Sequence, residues 1–151
     1  MRPAGRWPTI GLANIAGSLV AGWSVQRYRS KHVLALTYGS RATLILAYLA
    51  APKTELTFYI FAAGLGFTWL ATVPPTAAFV GKLLGSRYLG TLFGLTLLSH
   101  QIGGFFGAWL GGLAITSSGS YQVMWRADIA LATLAAICNL PILEARVIRP
   151  T

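Results

Sequence analysis

Three side chains in this sequence combine chemical capability with an apolar setting: Arg41, His100 and Gln101. Arg41 lies near the middle of a long apolar run, where burying a guanidinium at the centre of a bilayer costs at least about 2.5 kcal/mol on insertion scales. Such a charge must recover that cost from a partner. The partner is either an anionic group of a solute, or a structural one: a water-filled cavity, a cluster of carbonyls, or a group on another part of the protein. No carboxylate in the chain stands at a matching depth, since Glu55 and Glu144 are at segment ends and Asp128 is near the outer end of its segment. His100 and Gln101 sit side by side among Leu97, Leu98 and Ile102. Buried there, each needs a hydrogen-bond partner. Histidine is the side chain whose charge changes near neutral pH, so His100 is a candidate for solute contact or proton carriage, with a hydrogen bond to a neighbouring helix as the alternative. Asn14 and Trp69, with Tyr38 and Tyr48, complete the candidate cavity residues, although aromatic residues in such helices also serve packing.

The chemistry these residues do not support is equally definite. There is no metal-ligand cluster, no nucleophile with an orienting base and no glycine-rich phosphate loop between strand and helix, so no catalytic residue, metal or cofactor is expected and the chain does not read as an enzyme. Its single cysteine, Cys138, lies inside an apolar run. That rules out an internal disulfide and fits a small buried apolar residue.

The elements that must position these side chains are membrane helices. Hydrophobic residues make up 55% of the 151 and charged residues only 10%, against about 25% charged in a typical soluble domain. Twelve Lys and Arg against three acids give a net charge of +9. A nucleic-acid partner would need these gathered on one soluble face, but they sit in short clusters between apolar runs, the pattern that membrane topology selects. About 20 apolar residues cross the roughly 30 Å hydrocarbon core. The expected spans are 9–25, 32–51, 56–80, 89–116 and 123–143, giving an all-α, polytopic bundle of five helices in one transmembrane domain. A signal peptide over the first 22 residues is the weaker reading, because Asn14 and Gly17 interrupt the apolar stretch and further membrane segments follow.

Basic residues in short loops stay on the cytoplasmic side. Arg27, Arg29 and Lys31, then Lys82 and Arg87, then Arg146 and Arg149 share one side, which places the C-terminus in the cytoplasm and the N-terminus outside in the inner (plasma) membrane. Arg2 and Arg6 oppose this, and an odd number of spans starting outside is expected of a chain lacking its natural beginning.

Small residues let membrane helices approach closely. The fourth segment repeats Ser99, Gly103, Gly107 and Gly111 every four residues beside Gly104, Ala108 and Gly112, which predicts a helix packed tightly on two neighbours. Ala13, Gly17 and Ala21 form a weaker row in the first. Pro74 and Pro75 each remove a backbone donor from the third segment, so a kink or break is expected near Val73. Broken helices of this kind often line a transport path, a static kink being the alternative.

The stretch GWSVQRYRSK, Gly22 to Lys31, resembles the signature loop of the major facilitator superfamily: Gly22 matches the glycine, Arg27 the arginine and Lys31 the closing basic residue. Gln26 stands where the acidic residue usually is, and Arg29 where a second glycine is common. The order of the remaining features is similar to the C-terminal half of such transporters: Arg41, the run GLGFTWLATVPP from Gly64 to Pro75, a basic loop, a glycine-rich helix, a SGSY turn at Ser118 to Tyr121, and a last helix. By this resemblance the spans correspond to helices eight to twelve of twelve, and SHQIGGFFGAWLGG is similar to members related to monocarboxylate carriers. The resemblance implies alternating access around a midplane site. Arg41 would hold an anionic solute, and His100 with Gln101 would contact it or a coupled proton, as in a symporter. The implied partners are the lipid bilayer, a small organic anion, and either the missing N-terminal half or further copies of the chain. A membrane module that packs against a partner without transporting is the competing expectation.

Overall fold

A computed structural model describes residues 6–144, and among them the chain is helical throughout. The helices are α1 (Arg6–Arg27), α2 (Ser30–Ala50), α3 (Glu55–Trp69), α4 (Val73–Leu84), α5 (Leu89–Ser118) and α6 (Gln122–Asn139), with a 3-10 turn at Leu70–Thr72 joining α3 to α4. Because α3, the turn and α4 follow one another as a 30-residue rod, the six helices form five rods. The all-helical bundle expected from the sequence is the one observed. Two rods, Ser30–Ala50 and Glu55–Leu84, are long and apolar enough to cross a membrane by length and hydropathy alone. Of the others, α1 has 22 residues, α5 has 30 and α6 has 18. Polar residues such as His100 and Gln101, or Arg126 and Asp128, lower the apolar character of α5 and α6.

The outer surface is that of a protein meant for lipid. Leu12 and Leu19 on α1, Leu36 on α2 and Leu131 on α6 are exposed at 68%, 69%, 74% and 64%. The buried apolar set is small in number and in side-chain size: Ala21, Ala42, Ala62, Ala71 and Ala132 with Leu34, Ile45 and Phe61. Lipid tails remove the hydrophobic drive for helix association, so contacts come from small residues that admit a close backbone. Gly17 and Gly66 make the α1–α3 crossing in this way. A Cβ added at Gly17 would collide with the Phe67 carbonyl, and one at Gly66 would meet the Ile10 carbonyl oxygen at 2.8 Å. The broadest contacts join α1 to α3 and α2 to α6.

The third rod breaks where the prolines require it. Pro74 and Pro75 occupy the first turn of α4, the 3-10 turn at Leu70–Thr72 precedes them, and Leu70 is left with a backbone N–H outside the α-helical ladder. Asn14 on α1 accepts that donor through Oδ1 at 3.1 Å. A side chain of the first helix thus stabilises the break in the third.

The fourth apolar segment departs from expectation. It forms α5, but α5 touches only α4 and α6 among the described elements. Gly103, Gly104, Gly107 and Gly112 have nothing within 4 Å of an added Cβ, so within this chain the rows do not pack on two neighbours as their spacing predicts. Gly111 is the exception, buried with Tyr121 Cε1 at 4.0 Å. The physical reason is that a small-residue face is a preparation for a close neighbour, and these helices supply none on that side. Gly119, in the left-handed region at φ 66°, ends α5 by donating to Ile115 O at 3.0 Å.

Candidate functional site

Arg41 has a partner that its position in the sequence conceals. Its Nη2 lies 3.6 Å from Asp128 Oδ2 on α6, which corrects the expectation that no carboxylate of the chain stands at a matching depth. Arg41 is nine residues from the Ala50 end of α2, and Asp128 is six residues from the Gln122 end of α6. At 1.5 Å per residue the two Cα atoms differ in depth by only about 5 Å, a gap that the long arginine stem spans. The guanidinium also lies 5.1 Å from the centroid of the Trp69 ring, at the end of α3 beside the break. Its Nε is buried without a hydrogen-bond partner, whereas the side chain as a whole is 21% exposed. At least the Nε donor of the guanidinium is therefore unused.

The structure brings Arg41 and Trp69 together, and ties Asn14 to the adjacent break. It does not bring His100 and Gln101 to them. No contact joins α5 to α2, and both side chains are exposed with no hydrogen-bond partner among the described residues. At the end of the bundle where α2 finishes and α6 begins, Tyr48 stacks on Phe61 at 4.1 Å, and Trp125 meets Phe61 edge-on at 5.6 Å. Tyr48 is accordingly a packing residue in this arrangement.

At the opposite end of the bundle a second cluster forms around the α1–α2 loop. Glu144, whose side chain is fully buried, accepts from the backbone N–H of Ser30 through Oε1 and of Lys31 through Oε2, both at 2.9 Å. These are two of the free donors at the start of α2, where no side chain of the loop acts as a cap. Lys82 Nζ, from the end of α4, donates to Glu144 Oε1 at 2.8 Å and to Ser30 Oγ at 3.0 Å, and Lys31 Nζ donates to Leu140 O at 2.9 Å. Burial acts to raise the Glu144 carboxyl pKa, but the hydrogen bonds from Lys82 and from the Lys31 and Ser30 amides outweigh it, so the group is held below its ordinary value. Of the other residues in the stretch from Gly22 to Lys31, Arg27 lies over the Trp23 ring at 4.4 Å and Gln26 Nε2 reaches back to Gly22 O at 3.5 Å. Arg29 takes the extended conformation that starts α2. Sequence reasoning missed Asp128, Lys82 and Glu144 as site residues. The sparing use of acids was the signal, since with three carboxylates in 151 residues each one in or beside an apolar run needs a partner.

A bundle of apolar-surfaced helices with one broken rod, a partly exposed charged pair and a basic loop clamped at one end is the architecture of a polytopic helical membrane protein. The sequence profile of the Major Facilitator Superfamily matches residues 9–150, and the chain belongs to that family. It is similar to an uncharacterised MFS-type transporter, YcxA, of Bacillus subtilis (strain 168), at 24% identity over 153 residues covering 97% of this chain. The chain spans 38% of that relative's length. No solved structure matches it. Membership places the protein in a membrane.

Proposed function

We propose that this chain is the C-terminal part of a major facilitator carrier, corresponding to its helices eight to twelve, and that it contributes an anion-binding position to the pathway for a small organic acid. The observation that supports this reading is Arg41: a guanidinium set within the bundle, paired loosely at 3.6 Å and with one buried N–H unsatisfied. Asp128 gives the position a coupling logic. A solute carboxylate competes with Asp128 for the same cation, and a proton on Asp128 removes the competitor, so anion and proton enter together. His100 and Gln101 join such a pathway only from across a space that other helices of the carrier would border. The bare glycine rows of α5 and the 38% coverage of the relative favour a site completed by a missing half or by further copies. The proposed orientation sets the Glu144 clamp at the cytoplasmic face and the N-terminus outside.

The test is uptake of labelled small carboxylates into proteoliposomes holding this chain, with and without an imposed pH gradient, comparing wild type with Arg41→Ala and Asp128→Asn. The reading expects saturable uptake that Arg41→Ala abolishes and that loses its dependence on the proton gradient in Asp128→Asn. Correct insertion with no uptake of any carboxylate would favour the second reading, a membrane module that packs against a partner and does not transport alone.

A further inference from the structure

A groove of about 990 Å³ opens between α1 and α2 and is closed at its deep end by α3. Its walls are Val20, Val33, Leu36, Leu44 and Phe67, and its mouth at the loop end carries Arg27, Arg29 and His32 with Tyr28. The groove exists because α1 and α2, though consecutive, barely touch: α1 leans on α3 and α2 on α6. From the α1–α3 crossing at Gly17 to Arg27, the α1 wall is about 15 Å long at 1.5 Å per residue. That is half of the roughly 30 Å hydrocarbon core, the depth of one leaflet.

We propose that this groove holds an anionic phospholipid, with an acyl chain along the α1–α2 wall and the phosphate between Arg27 and Arg29. Two features carry the assignment. First, the layout is that of a two-part amphiphile, an apolar slot one leaflet deep under a cationic mouth, and basic pockets between membrane helices suit anionic headgroups. Secondly, among the described residues no carboxylate pairs with the arginines of the mouth, Glu55 standing at the start of α3, away from the α1–α2 loop. Asp128 is taken by Arg41, and Glu144 by Lys82 and the Ser30 and Lys31 amides. Arg27 is exposed, with its guanidinium carbon 4.4 Å from the Trp23 ring centroid, and it makes no ion pair with a carboxylate among the described residues. Exposed Leu36 and half-exposed Val20, at 74% and 49%, give the slot lips that an acyl chain covers. The lipid would bridge the two helices that the chain itself leaves apart. This site is independent of the solute reading, and stands or falls whether or not the chain transports.

The test is native mass spectrometry of the purified chain released from detergent, titrated with phosphatidylglycerol and with phosphatidylcholine of the same acyl chains. Phosphatidylglycerol should be retained preferentially. Retention should fall on the order of 10-fold in Arg27→Gln/Arg29→Gln, and also in Ser40→Phe, which fills the slot and keeps both charges. It should persist in Arg87→Gln/Arg126→Gln, an equal charge loss away from the groove. Helical circular dichroism confirms that each variant is folded. Equal retention of the two lipids, or no loss in Arg27→Gln/Arg29→Gln, overturns the proposal. Displacement of the lipid by inorganic phosphate overturns it in favour of a simple anion site, and a lipid-free dimer persisting at saturating phosphatidylglycerol overturns it in favour of a second copy in the groove.

Discussion

Arg41 on α2 and Asp128 on α6 stand 3.6 Å apart, side chains 21% and 36% exposed, and they are the charged link across the broadest contact of the bundle. The pair is partly screened rather than sealed. Its stability contribution is therefore modest, and its value lies in holding a cation where a bilayer would otherwise expel it. A double-mutant cycle of Arg41→Met and Asp128→Asn, followed by reversible unfolding in mixed micelles, should give a coupling of about 1 kcal/mol. Additive effects would show that the two ions act independently.

The Glu144 clamp makes a pH prediction. Because the folded carboxyl titrates below its ordinary value, the folded state favours the ionised form. The stabilisation is fully present above the unfolded-state pKa and is lost as the pH falls through the lower folded value. Melting temperature should thus be flat near neutrality and drop in the acid range below the ordinary carboxylate pKa. Glu144→Gln should remove part of that acid drop while lowering stability at pH 7 by about 1–2 kcal/mol, as expected for loss of a charged helix cap. A variant whose acid limb matches wild type would separate Glu144 from the transition.

The small residues divide into two groups that mutation should separate. Gly17→Val forces a side chain into the Phe67 carbonyl, and overpacking of this kind costs about 3 kcal/mol. Gly107→Val enters open space and should change the stability of this chain by no more than about 0.5 kcal/mol. Where an N-terminal half completes the carrier, as proposed above, Gly107→Val should instead weaken association, which co-purification of the two parts would read.

Asn14 holds the broken rod through a single acceptor at 3.1 Å from Leu70 N. Asn14→Ala leaves that amide without its partner, a loss of about 1–3 kcal/mol. Local hydrogen exchange at Leu70 should quicken more than exchange along α2, since the opening is confined to the 3-10 turn at Leu70–Thr72. Uniform acceleration would mean that the bond supports the whole bundle rather than the break.

Composition and apolar run length by themselves determined that this is a helical membrane bundle, because bilayer thickness and the cost of unsatisfied backbone leave few alternatives. The prolines at 74 and 75 likewise announced a break locally, since a missing donor needs no tertiary context to act. The loop from Gly22 to Lys31 was legible as a resemblance to a family motif. What the loop does was not, because its α2 amides are capped by Glu144, more than a hundred residues downstream. Arg41 was legible as a charge needing a partner, whereas its pairing with Asp128 depends on α2 and α6 lying side by side, a contact between elements far apart in sequence. The same dependence explains the glycines. Spacing shows which helix face is prepared for a neighbour, but only the packed bundle decides which faces, such as that of Gly17, have met one and which, such as that of Gly107, are still open.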